Sequence, residues 1–169
     1  MATTIRVAHT ADEHALHELD LGAWSANVTP AARDELRTSF FAPGCDPEDV
    51  LVADCDGTPA GYVQLTPPTD LAANGHVLEI RGLAVDPARQ RLGIATLLLK
   101  AAADEASRRG VTRLTLRVLA PNTAARRLYA ACGYVVEGVL RGEFVLEGTR
   151  VDDVLMALEL PASSASVIG

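Results

Sequence analysis

Leu83-Ala84-Val85-Asp86-Pro87-Ala88-Arg89-Gln90-Arg91-Leu92-Gly93-Ile94-Ala95 carries an apolar run into an Asp-Pro break, then into an arginine-flanked glycine that opens a helical pattern. The apolar run begins at Val77 and is apolar enough to lie centrally in a sheet. From Leu92 to Arg109 the helix period takes over. Leu92, Ala95, Leu99, Ala102, Ala103 and Ala106 lie on one face, with Lys100, Asp104 and Arg108 on the other. Gly110 follows the Arg108-Arg109 pair as a terminator. A helix N-terminus exposes unpaired N–H groups and about half a positive charge, so it attracts anions. Gly93 removes a side chain that would block those amides, Ala95 keeps the next position small, and Arg89 and Arg91 add formal charge. A diphosphate cradle and an ordinary capped helix with two solvated arginines both fit this local pattern. No GxxxxGK and no GxGxxG accompanies it, which counts against a P-loop and a dinucleotide fold.

Upstream, Ile5 to Ala8 reads as a short strand and Thr10 to Ser25 as a helix, with Ala15, Leu16, Leu19 and Leu21 on its apolar side. Thr29-Pro30 predicts a second helix to about Phe40. Val50 to Ala53 and Ala60 to Leu65 flank an Asp-Gly turn and form a hairpin. Downstream, Arg113 to Val118 alternates as a strand. Asn122 caps a helix striped by Ala125, Leu128, Tyr129 and Cys132, and Gly133 ends it. Tyr134 to Val145 and Arg150 to Leu160 form a closing strand pair around Glu147-Gly148. The order β-α-α-β-β-β-α-β-α-β-β, without repeat or linker, describes one mixed α/β sheet, taken as a single domain over 1–160. The Ser/Ala-rich 161–169 segment reads as a disordered tail.

Composition narrows the function. The chain has 169 residues, 22 acidic against 15 basic, and a net charge of −7. Such a balance argues against a nucleic-acid partner, which asks for a basic face. No apolar run reaches the roughly 20 residues of a membrane span, so no membrane partner is expected. The N-terminus lacks a signal h-region, and Cys45, Cys55 and Cys132 are odd in number without CxxC spacing. These are the marks of reduced thiols in a cytoplasmic protein with no metal site. His9, His14, His17 and His76 form no metal spacing with them either.

With these pieces in place the chain resembles the GCN5-related N-acetyltransferase superfamily. The family signature is Gln or Arg, any two residues, Gly, any residue, then Gly or Ala. Gln90, Gly93 and Ala95 match it, behind a Leu-Ala-Val strand and ahead of the Asn122…Leu128-Tyr129…Cys132-Gly133-Tyr134 segment. The resemblance spans roughly residues 4 to 160. It implies a mostly antiparallel central sheet of about seven strands, about four helices, and fourth and fifth strands that splay apart. The implied co-substrate is acetyl-CoA, with no metal. The pantetheine arm falls to Leu83, Ala84 and Val85, the diphosphate to Gln90, Arg91, Leu92, Gly93, Ile94, Ala95 and Thr96. Asn122 is carried over as a contact to the arm, beside its plain reading as an N-cap.

Tyr129 on an apolar stripe reads as a core tyrosine. The resemblance places its phenol near the cofactor sulfur, as general acid for the departing thiolate. Glu79, by period-two counting, shares a strand face with Arg81, Leu83 and Val85. It is either an ion-pair partner of Arg81 or Arg117, or the general base that the histone acetyltransferase branch of the family uses at the matching position. Arg117 itself is a departure, because the ribosomal-protein branch has a glutamate there. His76 is an outside candidate for a proton relay. Acceptor recognition in the family comes from the first helices and the last strands, which here offer Trp24, Arg141 and Glu143. Trp24 walls an acceptor pocket or anchors a turn; Arg141 suits an acidic acceptor and Glu143 a cationic one. The expectation is direct acetyl transfer in a ternary complex to a primary amine of a small molecule. A protein N-terminal or lysine acetyltransferase and a non-catalytic acyl-CoA sensor are the alternatives, and a homodimer is common in the family.

Overall fold

A computed structural model describes residues 2–162; from residue 163 on, the expected tail lies outside the described residues. Seven strands form one sheet in the order β1-β2-β3-β4-β5-β7-β6. They are β1 (Thr3–Val7), β2 (Val50–Cys55), β3 (Thr58–Thr66), β4 (Val77–Val85), β5 (Arg113–Leu119), β6 (Val135–Leu146) and β7 (Thr149–Glu159). Every neighbouring pair is antiparallel except β4 and β5. Three α-helices pack on it: α1 (Glu13–Ala23), α2 (Ile94–Arg108) and α3 (Thr123–Ala131). Among the described residues no helix is long and apolar enough to cross a membrane.

Two cores result. On one sheet face α2 and α3 bury Ile94, Leu98, Leu99 and Tyr129 against Val63, Leu65, Ile80, Leu114 and Leu116. On the other, Leu16 and Leu19 of α1 join Phe40, Val50, Val52 and Tyr62. The stripe of α2 is rotated from expectation: its buried residues are Ile94, Leu98, Leu99, Ala102 and Ala106, while Leu92 is exposed. Gly93 sits at φ +79° and ends the loop, so the helix begins one residue later and Leu92 never joins its apolar face.

The second helix expected from Thr29 to Phe40 does not form; a single 3₁₀ turn, Arg33–Glu35, lies there. Side chains elsewhere take backbone groups of this segment. Glu13 accepts from the N–H groups of Phe40 (2.6 Å) and Phe41 (2.8 Å), and Trp24 Nε1 donates to Ala31 O at 3.0 Å. The segment is thereby tied across the end of α1 as an extended strap rather than coiled. The helix count is three, not about four.

The β4–β5 ladder runs from Val77↔Arg113 to Ile80↔Leu116 and stops. Beyond it β4 continues to Val85 paired only with β3, and β5 continues to Leu119 paired only with β7. The two strands therefore splay, as the resemblance implies, and leave unpaired backbone groups on their facing edges. A second irregularity matters more for side chains. Leu65 pairs Ile80 but Gln64 pairs Gly82, so Arg81 is an inserted residue. This bulge reverses the alternation of β4. Leu83 and Val85 share the α2 face with Ile80, whereas Glu79 falls on the α1 face with Gly82 and Ala84. The period-two expectation that put Glu79 with Leu83 and Val85 fails for that reason.

Candidate active site

The splay opens into one cleft of about 1160 Å³ that reaches from the start of α2 to the strap over α1. Its first half is built on backbone. Asp86 Oδ1 accepts from Ala88 N at 2.9 Å and fixes the Pro87–Arg89 turn. Arg91 at φ +65° and Gly93 at φ +79° then aim the loop amides and the first turn of α2 inward. A Cβ built on Gly93 would meet nothing within 4 Å, so the space above the glycine is open. Arg89 lines the cleft with a buried Nη1 that has no partner among the described residues, its Nε standing 3.9 Å from Asp86. A buried guanidinium nitrogen left unpaired beside a 15-residue helix N-terminus fits a diphosphate.

Leu83 to Val85, Gln90, Arg91, Gly93 to Thr96, Asn122 and Tyr129 all line this cleft, and so does Trp24 at its other end. Leu92 lies outside it. Asn122 caps α3, its Oδ1 accepting from Ala125 N at 3.2 Å, so its amide nitrogen is left for a ligand. Tyr129 is 9% exposed and meets Tyr134 edge-on at 5.9 Å. Burial alone pushes its phenol up to about 12. The phenol therefore holds its proton across the physiological range.

Glu79, His76, Arg141 and Glu143 are not among the cleft-lining residues. Glu79 accepts from Arg81 Nη2 at 3.2 Å, and it is Arg81 that faces the cleft. Arg117 reaches the cleft from β5 with its Nε and Nη2 both 2.5 Å from buried Asp153 Oδ2. Glu143 stands 3.7 Å from the same guanidinium. Arg141 is exposed on β6, where the ladder to β7 is interrupted between Leu140 and Phe144.

The other half of the cleft is made of side chains that sequence reasoning passed over: Asp20, Arg37, Tyr62 and Gln64. Two signals were present. Asp20 sits in the last turn of α1, where the helix dipole disfavours an acid. Gln64 is polar inside an otherwise apolar strand; it is 5% exposed and donates to Gly44 O at 3.1 Å. Arg89 was read only as added charge, and its orphaned nitrogen needed the fold to be seen.

The chain belongs to the acetyltransferase (GNAT) family, whose model matches residues 13–134. It is 38% identical over 78 residues to the ribosomal protein bS18-alanine N-acetyltransferase of Escherichia coli strain K12, 46% of this chain and 53% of that protein. It is 31% identical over 147 residues to the mycothiol acetyltransferase of Acidimicrobium ferrooxidans, 86% of this chain and 40% of that one. The chain thus spans about half the length, or less, of these curated relatives. Among solved structures, a putative acetyltransferase from Salmonella typhimurium with its cofactor acetyl-CoA superposes with a TM-score of 0.76 at 24% identity, all of both chains covered. The Escherichia coli ribosomal-protein-alanine N-acetyltransferase gives the same TM-score at 24% identity, covering 99% of this chain and all of that one.

Proposed function

We propose that the chain is an acetyl-CoA-dependent N-acetyltransferase acting on a primary amine of a small molecule. The observation that carries this reading is that one cleft is lined by an anion-binding helix start, a splayed strand edge and a buried, protonated tyrosine. Arg89 and the amides of Gln90, Arg91 and Gly93 to Thr96 hold the diphosphate, with Gly93 leaving it room. The free edge of Leu83, Ala84 and Val85 and the amide of Asn122 hold the arm.

Bound acetyl-CoA supplies a thioester. The amine nitrogen attacks its carbonyl carbon, the C–S bond breaks, and Tyr129 gives its phenolic proton to the departing sulfur. The proton lost by the amine leaves by water towards Glu79, one residue before the last pair of the β4–β5 ladder and hydrogen-bonded to Arg81, which lines the cleft. The walls of the cleft favour a small acceptor. Strap residues, among them Trp24, Arg37 and Cys45, line the end away from the start of α2, which supports that reading.

A protein N-terminus is the second reading, supported by the 38% identity to the bS18-alanine enzyme. Release of CoA thiol, followed across amines, amino acids and peptides, separates the two: turnover confined to peptides removes the small-molecule reading. In the same assay Tyr129→Phe is expected to lower kcat by about tenfold or more while calorimetric CoA affinity stays. An unchanged kcat removes Tyr129 as the acid, and a wild-type chain that neither binds CoA nor releases thiol removes the enzyme.

A further inference from the structure

Asp20, Arg37 and Tyr62 form a cluster at the strap end of the cleft for which acetyl transfer as derived above has no use. Tyr62 is 3% exposed and donates its phenolic hydrogen to Asp20 Oδ1. The second oxygen, Asp20 Oδ2, faces Arg37 Nε at 3.5 Å. The Arg37 guanidinium lies 4.1 Å over the ring of Phe40, which is fully buried and packs edge-on to Tyr62 at 4.7 Å. One face of the guanidinium is thus set by an aromatic ring and one edge by a carboxylate, which orients the fork without filling it.

Arg37, Arg81, Arg89, Arg91 and Arg117 line the cleft; Arg89 and Arg91 belong to the loop before α2, and the pairing of the other three decides which is left for an acceptor. Arg117 is held on Asp153 at 2.5 Å and Arg81 on Glu79 at 3.2 Å. The one carboxylate contact of Arg37 is the 3.5 Å approach through Nε, too long for a good hydrogen bond. Among the described residues no oxygen accepts from its Nη1 or Nη2, and neither atom is sealed from the cleft. Its remaining near neighbour, Cys45, is a thiol that burial keeps protonated and neutral. An open Nη1–Nη2 edge matches a carboxylate, two parallel N–H···O bonds to a planar anion. The adjoining Asp20 charge disfavours a dianion such as a phosphate monoester.

The location fits an acceptor. Tyr62 pairs Ala84 across the ladder, and its ring is 3.1 Å from where a Cβ on Gly82 would stand. The cluster therefore sits beside the β4 stretch whose other edge faces the splay.

We infer that Arg37, set by Asp20, Tyr62 and Phe40, grips a carboxylate of the acetyl acceptor, so that the acceptor is an amine of the amino-acid class. This rests on the acetyltransferase reading above and narrows its substrate. The test follows CoA thiol release with free amino acids, each beside its C-terminal amide, in the wild-type chain, Arg37→Gln and Arg37→Lys. At least one pair is expected to favour the free acid by about tenfold or more in kcat/KM, as a bidentate charged contact provides. Arg37→Gln brings that preference to within about twofold through the acceptor KM, with the acetyl-CoA KM unmoved and part of the preference kept by Arg37→Lys. Equal use of acid and amide, a preference that survives Arg37→Gln, or no turnover of any free amino acid overturns the inference. Calorimetry with CoA keeps the two claims apart. Tight CoA binding with thiol release on any other amine leaves the acetyltransferase reading standing alongside any of those outcomes, and neither binding nor release removes that reading instead.

Discussion

The two halves of the cleft are built by different means. The half at the start of α2 presents main-chain amides from consecutive residues, held by a proline turn, an Asp86 cap and a left-handed glycine. The half under the strap presents side chains brought from α1, the strap and β3, residues far apart along the chain. A backbone site suits a constant ligand, because its shape is set by local conformation and tolerates change of side chains. A side-chain site is retuned by single substitutions. The comparison explains how one chain joins an invariant co-substrate to a particular acceptor.

The strongest test of the backbone half is Gly93→Asp. The carboxylate would stand where the diphosphate binds, and a like charge at about 4 Å costs roughly 4 kcal/mol near a protein surface. Loss of CoA affinity by about a hundredfold or more is expected in calorimetry, with Gly93→Asn, neutral and equal in size, losing far less. Equal losses for both would make the effect steric and break the electrostatic account.

Tyr62→Phe tests the side-chain half. Removing the hydroxyl takes one hydrogen bond from Asp20, a contact to a charged group contributing about 1.5 to 3 kcal/mol. The acceptor KM is expected to rise about tenfold while the acetyl-CoA KM holds, the reverse of what Tyr129→Phe does to kcat. A change in the acetyl-CoA KM instead would merge the two halves.

A smaller effect is expected at Glu79→Gln. A proton acceptor reached through water is expected to cost less in kcat than the roughly hundredfold of a base in direct contact, with both KM values holding. His76 stands outside the cleft, so an unchanged kcat would hand the proton to water alone.

The smallest effect, and the control for the others, belongs to Glu105. Arg108 and Arg109 hold it at 2.7 Å and bring its carboxyl down from 4.5 to about 2. Its folded-state value is the lower one, so its stabilisation is complete above about pH 4.5 and fades as pH falls towards 2. Glu105→Gln is expected to lower Tm at neutral pH by about 2 to 4 °C. That gap should close near pH 2, with both KM values untouched. A gap that persists at low pH would assign the loss to packing.

Much of the fold was legible in the chain. Val77–Val85 is the strand that its apolar run marks, and α3 begins after the Asn122 cap. The hairpins turn at Asp56-Gly57 and Glu147-Gly148, all four residues at positive φ. These features are local: a few consecutive residues decide the backbone, and the handful of glycines and prolines that control it are visible in one dimension. The strap was misread as a helix because Thr29-Pro30 is a good helix opening, and nothing near it in sequence announces that Glu13 will take the amides of Phe40 and Phe41. Glu79 was put on the wrong face because one inserted residue, Arg81, reverses every later side chain, and a bulge is a property of the pair of strands, not of either alone.

By itself, then, the sequence determined the strand–loop–helix unit from Leu83 to Ala95, the family, and the capped helix that carries Tyr129, since each depends on neighbours along the chain. Only the tertiary structure decided that Arg117 is held on Asp153 and that, among the described residues, Arg89 keeps an unpaired nitrogen and Arg37 an open fork between Asp20 and Phe40. Whether a charge is satisfied depends on what the fold brings within about 3 Å of it, and such a partner can come from a distant element, as Asp153 on β7 does for Arg117 on β5, 36 residues away.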